Sequence, residues 1–233
     1  PNQAIQTFSR LSSALPNAAV PHMRMAHTYG LGNNPDMAVR ELRRVLEIDP
    51  NYTTAQRELM YLAAQKGQWE PALKLARDIQ RRQPRDAAGF YLEGEIQSLT
   101  KKWEPAVAAF KAGLDKEGAA RIAPRLHRVF VQAGRGAEAD RFAADWVRSH
   151  AADVEFLLYL GDSAMVKSDL VVAEQRFGEV LKIAASHPRA TNNVAWLMAN
   201  RKSPDAVKMA QRAVQLAPSS ADALDTLAFA LAQ

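Results

Sequence analysis

The stretch "KGQWEPALKLA", residues 66–76, is rewritten in its essentials as "TKKWEPAVAAF", residues 100–110, so Trp69-Glu70-Pro71-Ala72 and Trp103-Glu104-Pro105-Ala106 stand 34 residues apart. Following the alanine outward gives Ala4, Ala38, Ala72, Ala106, Ala139, Ala173 and Ala206, at spacings of 34, 34, 34, 33, 34 and 33. Twelve residues beyond each rung come Pro16, Pro50, Pro84, Gly118, Ala151, Ala185 and Pro218. A single matched alanine is chance. Two ladders in phase along the whole chain are a repeat, and a fixed period of this size marks stacked supersecondary units.

Inside a unit the apolar spacing is helical twice over: Leu59, Leu62 and Ala63, then, beyond Gly67, Ala72, Leu73, Leu75, Ala76 and Ile79. Each unit therefore reads as a helical hairpin. Gly67 and Gly134 permit the turn, while Pro35, Pro71, Pro105 and Pro204 fall where a second helix starts. Proline is tolerated there because a first-turn amide has no intrahelical partner. The alanine ladder marks close approach of the two helices, which only a small side chain allows. Trp69 and Trp103 read as core filling beside that contact, and His127 is bulkier than the residue expected at its position.

Composition agrees with an ordered protein that buries a sizeable core: 48% of the 233 residues are hydrophobic and 24% charged. The excess of 30 basic over 25 acidic residues is modest and interleaved, and even the cluster Arg77, Arg81, Arg82 and Arg85 contains Asp78 and Asp86, which reads as a solvated helix end. Cysteine is absent, removing disulfides, thiol nucleophiles and cysteine-held metals. No apolar run is long enough for a membrane span, and no signal peptide opens the chain. The chain starts on Pro1 rather than Met, as removal of an export signal with part of a larger protein would leave it.

Catalytic chemistry is hard to assemble. His22, His27, His127, His150 and His187 are scattered, and the five-residue interval between the first two puts them on different sides of a helix. No HExxH, Walker loop, dinucleotide fingerprint or nucleophile elbow is present. The pairs Glu93 with Glu95 and Asp222 with Asp225 read as solvated or salt-bridged carboxylates, and the sequon Asn51-Tyr52-Thr53 as the start of a helix. The expectation is no enzyme, no catalytic residue, no metal site and no cofactor.

The period and its internal offsets resemble the tetratricopeptide repeat family. In the unit after Pro84, Phe90, Gly94, Trp103, Ala106, Phe110 and Gly118 follow its pattern, with Glu93 where the family has Leu. Leu157, Leu160, Gly161, Ala164, Ala173 and Phe177 follow it after Ala151, with Ser168 in place of the turn glycine. The resemblance implies an all-α fold, a right-handed α-solenoid of about six complete antiparallel hairpins. The repeats are 17–50, 51–84, 85–118, 119–151, 152–185 and 186–218, with residues 1–15 the second helix of a partial repeat and 219–233 the first helix of another. It also implies that first helices line a concave groove. The family's register then places Arg57, Tyr61, Tyr91, Glu95, Arg128, Leu158, Asp162, Asn192, Trp196, Asp225 and Phe229 on the partner-binding surface. Among them the aromatics have the character of interface anchors, and Asn192 stands where related superhelices bond a peptide backbone.

Near the C-terminus, Asn192-Asn193-Val194-Ala195-Trp196-Leu197 and Leu224-Asp225-Thr226-Leu227-Ala228 resemble a segment of bacterial envelope repeat proteins, including the lipoproteins of PEP-CTERM and exosortase systems that accompany exopolysaccharide production. The reading is a non-catalytic scaffold holding a protein or peptide in its groove, periplasmic or envelope-associated, with a cytoplasmic location as the alternative. It expects no nucleic acid, no membrane insertion by these residues, and self-association through exposed terminal helices as an open route. Two other readings remain: the targeting region of a larger enzyme, and an RNA-binding helical repeat.

Overall fold

The computed structural model describes residues 2–233; Pro1, which opens the first partial repeat, lies outside them. The described residues form fourteen α-helices and one short 3₁₀ turn, with no strand beyond a single isolated bridge. They divide into two compact units, 1–139 and 140–233.

The first unit holds α1 (Asn2–Ala14), α2 (Ala19–Leu31), α3 (Pro35–Ile48), α4 (Thr53–Lys66), α5 (Glu70–Arg82), α6 (Ala88–Leu99), α7 (Trp103–Gly113), the 3₁₀ turn Ala119–Arg121 and α8 (Ile122–Gln132). α9 (Gly136–Ser149) contains the division between the units. The second unit continues with α10 (Val154–Val166), α11 (Leu170–Ile183), α12 (Pro188–Asn200), α13 (Ala206–Leu216) and α14 (Ala221–Ala232). Within each unit consecutive helices pack against one another, α2 on α3 and α6 on α7 in the first, α10 on α11 and α12 on α13 in the second.

The alanine ladder lies in the contact layer. Ala38, Ala72, Ala106, Ala139, Ala173 and Ala206 are all 3% exposed or less, and burying a methyl there costs no side-chain entropy. Size is matched across the hairpin as well. A Cβ on Gly94 would stand 2.4 Å from the Phe110 ring, and one on Gly161 2.5 Å from the Phe177 ring, so each glycine makes room for a fully buried phenylalanine sixteen residues on. Trp69 is half-buried against the first unit's core, and His127 is accommodated as a buried residue, 3% exposed.

The prolines behave as helix starters: Pro35 opens α3, Pro71 is the second residue of α5, Pro105 the third of α7, and Pro204 lies just ahead of α13. Side-chain caps finish several starts. Asn34, Asp153, Asp169 and Ser220 accept from the backbone amides of Met37, Phe156, Val172 and Ala223, each cap satisfying one orphan donor of a first turn.

The turns carry a third ladder. Asn33, Gly67, Lys101, Gly134, Ser168 and Lys202 all take positive φ, from 52° to 74°, so a left-handed residue recurs in each hairpin turn at the repeat interval. Only two of the six are glycine, although glycine alone takes this conformation without a Cβ penalty.

Candidate functional site

The sequence register assigns equivalent positions on the first helices of the hairpins, and the structure gives those positions different surroundings in the two units. In the first unit Arg57 and Tyr61 stand exposed on α4. Tyr61 is 62% exposed, its hydroxyl accepting from Gln65 Nε2 at 2.7 Å, and it borders a cleft of about 440 Å³ with His27, Leu31 and Glu58. An aromatic so open, with Leu31 78% exposed beside the same cleft, is an apolar surface that water covers at a cost.

One repeat on, the environment is polar and enclosed. Tyr91, on α6, is 9% exposed and packs near the Phe110 ring. The Arg121 guanidinium lies over the Tyr91 ring, 4.0 Å from its centroid, and that of Arg125 stands 5.9 Å away. Arg125 Nε reaches Glu95 Oε1 at 3.7 Å, a loose ion pair. Arg121 Nη2 donates to Asn51 Oδ1 at 3.3 Å, and Asn51 Nδ2 donates to Asp86 Oδ2 at 2.9 Å. The cluster thus draws on three consecutive hairpins. It is held in place by backbone pairing of the connecting loops, where Ala87 N–H donates to the Glu117 carbonyl at 2.9 Å and Glu117 N–H to the Arg85 carbonyl at 2.8 Å.

Burial sets the electrostatics of this cluster. It pushes the Glu95 carboxyl above the usual carboxylate range, against the pull of Arg125, Arg128 and Arg121. The Tyr91 phenol is also raised, by burial first and by Glu95 second, and the Arg121 guanidinium is lowered by burial. Desolvation penalises each charged form, and nearby opposite charge does not fully offset it. Arg128, an exposed residue on α8, contributes to the positive field at Glu95.

In the second unit the equivalent face is aromatic and amide-bearing. Trp196 on α12 stacks with Phe229 on α14, centroids 6.1 Å apart at 22°. Asn192 lies one helical turn before Trp196, and its Oδ1 is buried without a hydrogen-bond partner. A buried carbonyl left unpaired costs free energy that any donor reaching it would recover. Asp162 on α10 is paired with Arg189 on α12, and Asp225 is exposed on α14. Leu158 is a correction to the sequence register: it is 2% exposed and packed with Leu157, Phe177 and Val194, so it serves the core rather than the surface.

The structure therefore brings Tyr91 and Glu95 together, with Arg128 nearby, and separately Asn192, Trp196 and Phe229. Sequence reasoning missed Asn51, Asp86, Arg121 and Arg125. The available signal was the run Arg121, Arg125 and Arg128, at intervals of four and three, which places three guanidiniums on one side of a helical segment.

Elsewhere, His22 Nδ1 bonds Glu41 Oε2 at 2.7 Å and makes no set with His27. Leu11 on α1, Leu15 just beyond its end, and Leu224 and Leu231 on α14 are exposed apolar residues at the two ends. Among the described residues no helix is long and apolar enough to cross a membrane.

No family model matches the chain, and no curated protein sequence matches it. Solved structures do. Yeast Tom70 is similar over 100% of this chain and 51% of its own, at 13% identity and a TM-score of 0.65. A human IFIT1 dimer with PPP-AAAA is similar over 98% of this chain and 58% of its own, at 14% identity and a TM-score of 0.57. The C-terminal part of a TPR repeat-containing protein from Cytophaga hutchinsonii is similar over 97% and 94%, at 16% identity and a TM-score of 0.50. The chain has the fold of these proteins: an all-α, helical-hairpin repeat of the tetratricopeptide type.

Proposed function

We propose that this protein is a non-catalytic scaffold that holds a protein or peptide partner against the first-helix faces of its repeats. The observation that carries the reading is Asn192, whose buried Oδ1 has no partner and lies one turn from the Trp196–Phe229 stack. Once the Asn192 side chain turns outward, its acceptor beside the aromatic pair suits an extended backbone, which gives an N–H to the amide and apolar surface to the rings. The open cleft beside the exposed Tyr61 adds a second anchor in the first unit.

The partner belongs, on this proposal, to a bacterial envelope assembly for exopolysaccharide or protein export, with the protein periplasmic or envelope-associated and carried as a lipoprotein. The support is the Asn192–Leu197 and Leu224–Ala228 segments. Affinity capture from a bacterial envelope extract tests both parts, comparing the protein with a Tyr61→Ala, Asn192→Ala, Trp196→Ala variant of equal helicity. A partner held by the first and lost by the second is the expected result. Equal capture by both would move the contact to the second-helix faces or to the exposed apolar residues of α1 and α14, where self-association would also arise.

A further inference from the structure

The second helices of the first unit border a cleft that the scaffold reading does not use. It encloses about 290 Å³ between α3, the C-terminal half of α4 and the start of α5, with Val39, Leu62 and Pro71 among its apolar lining and Arg40, Arg43 and Lys66 as its cations. Arg43 is half-buried, and its Nε is buried without a hydrogen-bond partner. The carboxylates that line this cleft and the one beside it are already engaged: Asp36 with Lys66, Glu41 with His22 at 2.7 Å, and Glu47 with Arg44 at 3.1 Å. Among the described residues neither Arg40 nor Arg43 has an ion pair. Arg40 also stands three residues before Arg43 and four before Arg44, intervals at which like charges on a helix repel. A buried donor left unpaired and two uncompensated charges on one wall cost free energy that an anion in the cleft would recover.

We propose that this cleft binds a small phosphate monoester whose organic part is apolar. The charges match: such an ester carries about two negative charges at neutral pH and presents three acceptor oxygens, against two arginines that no carboxylate serves. A carboxylate brings a single charge and one pair of oxygens, which one guanidinium fork saturates, and the second arginine would stay unserved. The organic part follows from Val39, Leu62 and Pro71, whose apolar surface an inorganic anion would leave against water. A mostly apolar lining with a few polar groups to fix orientation is the usual form of a small-molecule site, and a volume near the lower end of that range suits a ring-sized group. The cleft belongs to second helices, so it leaves the first-helix faces free and stands independently of the scaffold reading.

The test is a proton–nitrogen NMR titration of the whole chain with phenyl phosphate, using inorganic phosphate, benzoate and dihexanoyl phosphatidic acid as matched probes. Phenyl phosphate is expected to shift the backbone amides of Val39, Arg43 and Ala72 and the Arg43 Nε–H, and to bind about tenfold more tightly than inorganic phosphate or benzoate. Arg40→Gln and Arg43→Gln, each with an unchanged helical circular dichroism spectrum, are each expected to weaken it about tenfold. Arg82→Gln, an exposed position at the far end of α5, is expected to leave it unchanged. Equal loss in Arg82→Gln would mean diffuse charge and overturn the site. Inorganic phosphate binding as tightly as phenyl phosphate would overturn the apolar half of the ligand, and benzoate doing so would overturn the phosphate. Tighter binding of the phosphatidic acid would replace the small ester by a membrane headgroup. No saturable shift at these residues up to about 10 mM phenyl phosphate overturns the proposal outright and leaves the scaffold reading to envelope capture.

Discussion

Tyr91 with Glu95 on α6 and Asn192 with Trp196 on α12 occupy equivalent places in the repeat, yet one pair sits under two arginines and the other beside a stacked phenylalanine. The scaffold beneath them is the same: Gly94 admits Phe110 in the first unit as Gly161 admits Phe177 in the second. Packing across a hairpin is therefore repeated, while the face turned away from that contact is free to vary. A repeat fold separates the residues that must recur from those that distinguish one partner from another.

The comparison breaks most directly at the shared scaffold. Gly94→Val and Gly161→Val each drive a branched side chain into a buried ring from 2.4 or 2.5 Å, and each is expected to cost at least about 3 kcal/mol in chemical denaturation. A large loss in one unit and a small one in the other would show that the two hairpins do not share their packing. Smaller and unequal effects are expected from the faces. Tyr91→Ala removes a residue that is 9% exposed and the ring beneath Arg121, for about 2.5 kcal/mol. Trp196→Ala removes a half-buried ring and its stack on Phe229, for about 1.5 kcal/mol. The reverse order would place the structural weight on the aromatic face instead.

The repeat itself was open to reading because small residues are forced at the helix contact, and Ala38, Ala72, Ala106 and Ala173 are buried there. The turn ladder was half-hidden. Gly67 and Gly134 announced it, but Asn33, Lys101, Ser168 and Lys202 hold the same left-handed backbone with residues that do not advertise it. The closing geometry of the hairpin outweighs local preference at those positions. Arg121 and Arg125 were missed for a related reason. A register built on first-helix positions looks along one helix at a time, whereas this cluster is assembled by loops and helices from three hairpins. Leu158 fits the same register and is nevertheless core, since identical phase does not guarantee identical depth. The turn makes a stabilising prediction: Lys101→Gly, at φ 56°, is expected to raise stability by about 1 kcal/mol. Gly67→Ala, at φ 60°, should lower it by a similar amount.

The smallest expected effect bears most on the first unit's chemistry. Burial raises the Glu95 carboxyl above its ordinary range in the folded protein, so the folded state holds that proton more tightly than the unfolded chain does. Its contribution to stability is then fully present below the ordinary carboxylate pKa and is lost as pH rises through the folded value. Glu95→Gln, which keeps the shape and removes the titration, should match the parent near pH 4 and gain on it towards about pH 7 in paired denaturation curves. The sign separates two accounts of the cluster. If the parent instead gains on Glu95→Gln as pH rises, the pairing with Arg125 outweighs burial, and the arginines over Tyr91 are neutralised from within. If it loses, as expected, burial outweighs the pairing with Arg125, and the polar cluster at Tyr91 is held at a cost that the aromatic face at Trp196 does not carry.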